Sequence, residues 1–155
     1  MKLLIKQRVF SWTDTYSVYD EYENEKYFVK AKALAIGHQI YIYDTYGNEV
    51  GSIHEKFFTF MPQFDIIIAK QFMGSIKKRF TFMRSLYDIN INNWRIEGDF
   101  LGWNYDIISG SKIIMNIQKK PFNWGDTYVI DIDCQENELL GLITVIAIDA
   151  ANCSK

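Results

Sequence analysis

Leu139-Leu-Gly-Leu-Ile-Thr-Val-Ile-Ala-Ile148 is a ten-residue apolar run near the end of the sequence. On a helical wheel its apolar residues cover nearly the whole circumference, which is typical of a helix that is buried on every side. Asp133, Glu136 and Glu138 precede the run, and carboxylates just before a helix complement the positive end of its dipole. The run therefore predicts a helix enclosed by the rest of the protein.

The same run also fits a fully buried strand. Ile143, Val145, Ile146 and Ile148 have high β-propensity, and periodicity alone cannot separate a short buried strand from a buried helix. At ten residues the run is about half of the roughly 20 that a membrane-spanning helix requires, so we expect no transmembrane segment. In either form the run needs a wall around it, which the remaining chain has to supply.

Segments that alternate apolar and polar residues recur through that remaining chain and predict strands that are wet on one face. In the first of them, Leu3 and Ile5 share one face while Lys6 and Arg8 point the other way. Residues 27–33, 113–118 and 128–132 alternate in the same manner, with Ile113, Met115 and Ile117 assigned to one face. Turn residues separate the strands at 20–25, 44–48 and 109–111.

The sequence also repeats itself. Phe10-Ser-Trp12-Thr-Asp14-Thr15-Tyr16 returns as Phe122-Asn-Trp124-Gly-Asp126-Thr127-Tyr128, with five identities in seven positions. Weaker echoes at 34–38, 58–60, 80–82 and 100–103 place related corners every 20 to 24 residues. Each unit would be two strands joined by a corner that an aromatic residue anchors. Six units make about twelve strands, and a sheet of that size tends to curl, split or close, of which closure into a barrel is favoured.

We therefore predict a mostly β fold: a closed antiparallel barrel of about twelve strands around a central hydrophobic C-terminal helix. A propeller is disfavoured, because the units are half the length of a usual four-stranded blade. At 155 residues the chain suits a single domain, which we assign to residues 1–150, with a short tail at 151–155.

The composition limits which classes of partner and which cellular compartment we expect for this protein. The formal charge of −2 provides no global positive field for a nucleic-acid backbone, so we expect no nucleic-acid partner. Two cysteines are too few for a disulfide framework, which indicates a reducing compartment. Lys6, Gln7 and Arg8 interrupt the N-terminal apolar residues before an export signal could form. We expect a cytoplasmic protein, either free or peripheral at a membrane.

Catalytic motifs are missing from the sequence. It contains no Gly-rich phosphate loop, no Gly-x-Ser-x-Gly elbow and no His-Glu-x-x-His motif. His38 and His54 lack neighbours at metal-ligand or nucleophile spacing, and Cys134 lacks a histidine partner although a helix dipole could lower its pKa. Asp14 and Asp126 occupy equivalent corners, where turn bonding explains them better than acid–base catalysis. We expect no enzymatic activity, no catalytic residues, no metal and no cofactor.

One basic cluster, Lys77-Lys78-Arg79, is the candidate binding site, with an anionic headgroup as its ligand. On a strand, Lys77 and Arg79 project from one face and Lys78 from the other, so only part of the cluster can meet one ligand. Solvated strand charges that discourage edge-to-edge aggregation explain such runs more often. A second basic pair lies at Lys119 and Lys120.

Several motifs together resemble those of the LURP-one-related proteins. These are Phe10-Ser-Trp-Thr-Asp-Thr-Tyr-Ser-Val-Tyr-Asp20, Ile42-Tyr43-Asp44 with Gly47-Asn-Glu-Val50, Trp94-Arg-Ile-Glu-Gly-Asp-Phe100, the Trp-Gly-Asp-Thr-Tyr of 124–128 and the terminal apolar run. That family shares its fold with the tubby C-terminal domain and is related to phospholipid scramblases. The resemblance implies a barrel of about twelve strands around a hydrophobic helix, in agreement with the pattern of repeats.

The resemblance implies less about the function than about the fold. Tubby-like domains bind phosphoinositide headgroups through basic residues on the barrel, which makes Lys77 and Arg79 the nearest candidates here. A scramblase's Cys-rich palmitoylation segment and Asp-rich calcium loop are missing, so we do not expect calcium-driven lipid scrambling.

The sequence thus leaves two functional hypotheses. The first is a non-enzymatic binding or scaffold module whose partner is an anionic phospholipid or another protein. The alternative is a small-molecule carrier or cryptic enzyme with a cavity between barrel and helix. The filling of the interior discriminates them, and we expect the helix to plug it through Leu139, Leu140, Ile143 and Ile146.

Overall fold

The computed structural model describes residues 1–6, 15–33, 37–80, 85–122 and 125–153. In these residues twelve β-strands precede a short 3-10 helix and an α-helix. The elements, in chain order, are β1 (Lys2–Ile5), β2 (Thr15–Asp20), β3 (Glu25–Ala33), β4 (His38–Asp44), β5 (Glu49–Glu55), β6 (Gln63–Ile68), β7 (Gln71–Phe80), β8 (Ser85–Asn90), β9 (Trp94–Asp99), β10 (Asn104–Ser109), β11 (Lys112–Phe122), β12 (Gly125–Ile132), the 3-10 helix (Gln135–Asn137) and α1 (Glu138–Cys153).

All twelve strands form one antiparallel sheet in the order β8-β7-β6-β5-β4-β3-β2-β1-β12-β11-β10-β9. The first and last strands pair, with Leu3 opposite Ile130, so the sheet curls round on itself. Its outer strands β8 and β9 lie against each other but share no hydrogen-bonded ladder within the described chain. The fold is therefore a nearly closed barrel, which confirms the predicted class.

The terminal apolar run is a helix, and it fills the barrel. α1 contacts β5, β6, β7 and β12, and every residue from Leu140 to Ala151 is buried. The strand interpretation of this run is wrong. The helix is also longer than the apolar run predicts, since it continues to Cys153 and keeps Ala150 and Ala151 inside the core.

Strand faces follow the predicted alternation, with one exception. Leu3 and Ile5 of β1 are buried, and so are Val29 and Ala31 of β3 and Tyr128, Ile130 and Ile132 of β12. On β11, however, Ile113 is exposed and Ile114 is buried, which contradicts the predicted face. A β-bulge in the β10–β11 pairing, between Ile107 and Ile108, inserts the extra residue that reverses the alternation there.

Antiparallel pairing sends alternate loops to opposite ends of the barrel. We call the end where α1 begins the entry end; it carries the 20–25, 44–49 and 68–71 connections. We call the end where α1 finishes the exit end; it carries the 56–62 and 100–103 connections. Tyr87 near the start of β8 donates a hydrogen bond to the Asn152 side chain at the exit end.

The repeated corner falls largely outside the described residues. Positions 10–14, which include Trp12 and Asp14, and positions 123–124, which include Trp124, are among those not described. One weaker echo does have a buried aromatic anchor: the ring of Trp103 lies 4.0 Å from the ring of Tyr128, centroid to centroid. The corner at 58–60 has no buried aromatic anchor, since Phe58 and Phe60 are both exposed.

Candidate functional site

The central turns of the helix pack directly against the barrel wall. Leu142, Ile143, Val145 and Ile146 are at most 1% exposed, and Leu139 is partly buried against the same core. A Cβ placed on Gly51 of β5 would lie 2.3 Å from the Ile143 Cδ1 methyl, so wall and helix are in direct contact. The helix plugs the barrel as the sequence predicts.

A shallow groove does open near the entry end. Its volume is about 240 Å³, below the roughly 300–1,000 Å³ of ordinary ligand pockets. The groove is lined by Glu49, Val50, Gly51, Ile67, Ala69 and Lys70. Its size gives the carrier hypothesis no support.

The basic cluster is split between the two faces of β7. Arg79 points outward and donates from Nε to the Asp88 carboxylate at 2.8 Å and from Nη2 to the same oxygen. Lys77 is on the same outer face and is exposed; within the described chain it has no ion-pair partner. Lys78 is half-buried on the inner side, opposite Tyr87 in the register. Of the three residues, Lys77 is the one whose charge is available.

The other basic residues do not join this cluster. Lys70 lies in the turn before β7 at the entry end, the far end of a ten-residue strand. Arg84 is among the residues that are not described. Lys119 and Lys120 are on β11, which is hydrogen-bonded to β10 and β12 rather than to β7.

The loop next to the basic cluster carries exposed aromatic residues. We call residues 56–62, which join β5 to β6, the aromatic loop. Phe58 and Phe60 are fully exposed there, at 105% and 102% of their reference surface. This contradicts the prediction of an aromatic anchor at 58–60. Phe57, which is 47% exposed, contacts Gly37: a Cβ on Gly37 would lie 2.2 Å from the Phe57 ring.

Backbone hydrogen bonds tie the aromatic loop to the basic strand. The Lys56 N–H donates to the Gln63 carbonyl at 2.8 Å, and the Lys78 N–H donates to the Pro62 carbonyl at 2.9 Å. Gln63 is in turn the register partner of Lys77. Lys56 and Lys77 therefore flank Gln63 at the base of the loop, an arrangement that sequence spacing alone does not reveal.

The sequence contains a signal that identifies this loop. Lys56-Phe-Phe-Thr-Phe-Met-Pro62 holds three Phe residues between a lysine and a proline, without the period-two alternation of a strand. A run without strand or helix periodicity predicts a loop. Aromatic side chains on a short surface loop cannot reach the hydrophobic core, so they are expected to be exposed. Assigning 58–60 to the repeated corner obscured that signal.

Each histidine contacts a neighbouring side chain of the barrel wall: His38 contacts Glu55, and His54 contacts Tyr41. His38 Nδ1 lies 2.5 Å from Glu55 Oε2, and the His38 backbone N–H donates to the same oxygen at 3.0 Å. The His54 ring lies 6.0 Å from the Tyr41 ring, and its Nε2 is buried with no hydrogen-bond partner in the described chain. Nowhere in residues 1–6, 15–33, 37–80, 85–122 and 125–153 do three His, Cys, Asp or Glu residues gather as metal ligands.

Both thiols have a raised pKa. Hydrogen bonding to the Asp133 carboxylate, burial and hydrogen bonding to Glu136 raise the pKa of Cys134. The pKa of Cys134 is thus not lowered at this position, and α1 starts only at Glu138, after the 3-10 helix. Burial and then the nearby Asp149 raise the pKa of Cys153 to about 11. Neither cysteine has the properties of an activated nucleophile.

The sequence of this barrel and helix matches a known protein family. A family model described as LURP-one-related matches residues 1–149. The chain belongs to the LURP-one-related family. This confirms the resemblance found in the sequence, and the match runs from β1 into α1, so it covers both the barrel and its plug.

Two relatives extend this finding. The chain is 28% identical over 149 residues to the uncharacterized protein YxjI of Bacillus subtilis strain 168, covering 96% of this chain and 92% of that protein. It also resembles the X-ray structure of a protein from Arabidopsis thaliana, with a TM-score of 0.65 and 13% identity over 96% of this chain and 90% of that one. At that identity the second likeness shows a shared fold. In the described part of this LURP-one-related chain, no helix is long and apolar enough to cross a membrane.

Proposed function

We propose that this protein is a non-enzymatic, cytoplasmic binding module that recognises anionic lipid headgroups at the exit end of its barrel. The observation that carries the proposal is the adjacency of Lys77 to the aromatic loop through Gln63. A plugged interior moves binding to the outer surface, where the exposed Lys77 adjoins the loop that carries the exposed Phe58 and Phe60.

Lys56 and Lys77 are the groups that would meet a headgroup phosphate. Lys56 lies 3.5 Å from Asp65, with half of its side chain exposed, and an ion pair of this kind contributes about 0–1 kcal/mol. A phosphate can displace such a weak partner. Each lysine near an anionic surface contributes about 1 kcal/mol of attraction. Two lysines therefore support reversible, salt-sensitive binding.

Arg79 has a different role in this proposal. Its guanidinium donates through Nε and Nη2 to one Asp88 oxygen, and hydrogen bonds between ionised groups are stronger than neutral ones. Arg79 is a neutralised neighbour of the site that holds β7 against β8. The resemblance to tubby-like domains, which bind phosphoinositides through basic barrel residues, supports the same ligand class.

Vesicle co-sedimentation tests the proposal. Purified protein is mixed with phosphatidylcholine vesicles, with or without phosphatidylserine, at low and at moderate salt. We expect binding to the anionic vesicles alone, weakened by salt and reduced in Lys56→Ala/Lys77→Ala. Lys2→Ala/Lys70→Ala is the matched control, because it removes the same charge at the entry end.

Further variants separate the members of the original cluster. Lys77→Ala should weaken binding, whereas Arg79→Ala/Asp88→Ala, which removes the ion pair without changing the net charge, should leave binding close to wild type. Equal losses for the exit-end and entry-end charge variants would show non-specific attraction and contradict the proposed site. Absence of wild-type binding to anionic vesicles would overturn the function itself.

A further inference from the structure

Two fully exposed phenylalanines on one loop require an explanation beyond headgroup recognition. Phe58 and Phe60 project from the exit end with no burial, although an aromatic side chain gains about 1.5–3 kcal/mol when it leaves water. Leu101, on another connection at the same end, is 65% exposed. Exposed large apolar side chains on one loop mark an interaction surface.

The aromatic loop is held in its protruding form by its own base. Two backbone hydrogen bonds anchor its ends, from the Lys56 N–H to Gln63 and from the Lys78 N–H to Pro62. Phe57 packs on Gly37, whose φ of +78° is natural for glycine. The Thr59 hydroxyl donates to the Lys56 carbonyl at 3.4 Å across the loop. Phe58 and Phe60 are thus presented outward at little cost in conformational entropy.

We infer that Phe58 and Phe60 insert into the interfacial layer of an anionic membrane, while Lys56 and Lys77 remain at the level of its headgroups. The inference rests on the proposed headgroup binding and adds the apolar half of the contact. It commits to a bilayer because the exposed rings are bordered by lysines that fit its negative surface. Insertion of apolar side chains beside basic residues is how peripheral proteins gain affinity that salt does not remove.

Charge at the opposite end of the barrel favours the same orientation. The 20–25 loop carries four carboxylates, on Asp20, Glu21, Glu23 and Glu25. Hydrogen bonds from the Asn24 side chain and from the backbone N–H groups of Asn24 and Tyr22 keep the pKa of Asp20 below its ordinary value. This ionised entry end is repelled by an anionic surface. The exit end, with the aromatic loop, therefore faces the bilayer.

A polarity-sensitive probe tests insertion directly. Cys134→Ser/Cys153→Ser provides a thiol-free background, in which Thr59→Cys between the two phenylalanines is labelled with a nitrobenzoxadiazole fluorophore. Thr45→Cys, exposed in the 44–49 connection at the entry end, is the matched control. With phosphatidylserine vesicles, we expect a blue shift and quenching by bilayer-embedded doxyl lipids at position 59 and neither at position 45.

Affinity measurements on the unlabelled protein separate the two contacts. Phe58→Ser/Phe60→Ser should lower vesicle affinity by at least about tenfold while leaving its salt dependence unchanged. Lys56→Ala/Lys77→Ala should instead flatten the salt dependence. Tyr46→Ser/Phe72→Ser removes two exposed aromatic residues, 90% and 61% exposed, at the entry end and serves as control. Far-ultraviolet circular dichroism confirms that each variant is folded.

The outcomes distinguish insertion from headgroup binding. Wild-type affinity in the folded Phe58→Ser/Phe60→Ser variant, with binding still lost in the lysine variant, would overturn insertion and leave the proposed function standing. An unshifted probe at position 59 on vesicles that bind the protein would overturn it as well. Failure of the wild type to bind anionic vesicles would overturn both proposals. A blue shift at position 59 together with the tenfold loss supports insertion.

Discussion

The side-chain ammonium of Lys26 lies 2.7 Å from both carboxylate oxygens of Glu138, the first residue of α1. The Tyr27 hydroxyl donates to one of the same oxygens at 2.7 Å. Burial and the Glu138 carboxylate raise the pKa of Tyr27 well above its ordinary value, so the phenol remains a donor. The carboxylate of Glu138 is 5% exposed. Strand β3 thus fixes the start of the helix that fills the barrel.

Removing this acceptor should destabilise the fold. Glu138→Ala leaves the Tyr27 hydroxyl half-buried without its partner and Lys26 without its counter-charge, at a cost of about 2 kcal/mol. Urea denaturation measures the change in the free energy of unfolding. Glu136→Ala, at an exposed position in the 3-10 helix, is the control. Equal stability of the two variants would contradict the role of Glu138.

The helix should not tolerate a charge at its centre. Ile143→Asp places a carboxylate where the present side chain is 0% exposed, and burying an unpaired polar group costs several kcal/mol even after its pKa adjusts. We expect the variant to be unfolded by circular dichroism and by proton NMR dispersion. A cooperative thermal transition close to that of the wild type would show that the helix is not enclosed.

The contact between Gly51 and Ile143 should behave as a coupled pair. A Cβ at position 51 would lie 2.3 Å from the Ile143 Cδ1 methyl and 3.2 Å from the Ile67 carbonyl oxygen, so Gly51→Ala should cost about 1–3 kcal/mol through overpacking. Ile143→Val removes that methyl and by itself should cost about 1 kcal/mol. The double variant should be more stable than the sum of the two single losses predicts. Simple additivity would contradict the contact.

Acid should weaken the junction between β12 and α1. Burial raises the pKa of Asp133, but hydrogen bonds from Asn137, Lys112 and Cys134 outweigh it and bring the pKa to about 2, below the ordinary 3.8. The folded state therefore binds this proton less readily than the unfolded state does. The resulting stabilisation is complete above about pH 4 and is lost as pH falls towards 2.

Denaturation at several pH values tests this linkage. Asp133→Asn should be less stable than the wild type at pH 7, and its stability should fall less between pH 4 and pH 2. Asp131→Asn is the control, because Asp131 is half-exposed and its nearest cations are 3.9 and 4.0 Å away. If Asp133→Asn lost as much free energy of unfolding between pH 4 and pH 2 as the wild type, the proposed stabilisation by the ionised Asp133 would be contradicted.

The two thiols should react slowly with alkylating agents near neutral pH. Their raised pKa values keep the thiolate fraction small. Because the Asp133 carboxylate is the largest cause of the shift at Cys134, Asp133→Asn should speed alkylation of Cys134 and leave Cys153 unchanged. Mass spectrometry after a timed exposure to iodoacetamide gives both rates. Faster reaction of wild-type Cys134 than of a free cysteine peptide would contradict the assignment.

Much of the architecture could be predicted from local patterns. Period-two alternation identified the strands because a barrel wall has one solvent-exposed face and one buried face. Val29 and Ile130 are buried as expected. The all-round apolar run identified the enclosed helix for the same physical reason. Alternation failed at Ile113, because a bulge is a property of the pairing with β10 and leaves no mark in the β11 sequence.

The candidate site was only partly predictable. The split of Lys77 and Lys78 between faces follows from strand periodicity, but the capture of Arg79 by Asp88 depends on the β7–β8 register. The approach of the aromatic loop to β7 depends on the hydrogen bond from Lys78 to Pro62, sixteen positions apart in the chain. Contacts of this kind arise from sheet topology, which local sequence does not encode.

The pairing of β1 with β12 has a consequence for how the protein is made. The amino group of Met1 donates to the Ile132 carbonyl, 131 positions along the chain. At about 5–20 residues per second, a ribosome needs roughly 7 to 26 seconds between these two residues. Throughout that interval β1 lacks one neighbour, and the strands already made have no helix to cover their apolar faces. The newborn chain therefore passes through an intermediate with uncovered apolar strand faces, and the barrel can be completed only after α1 has left the ribosomal tunnel.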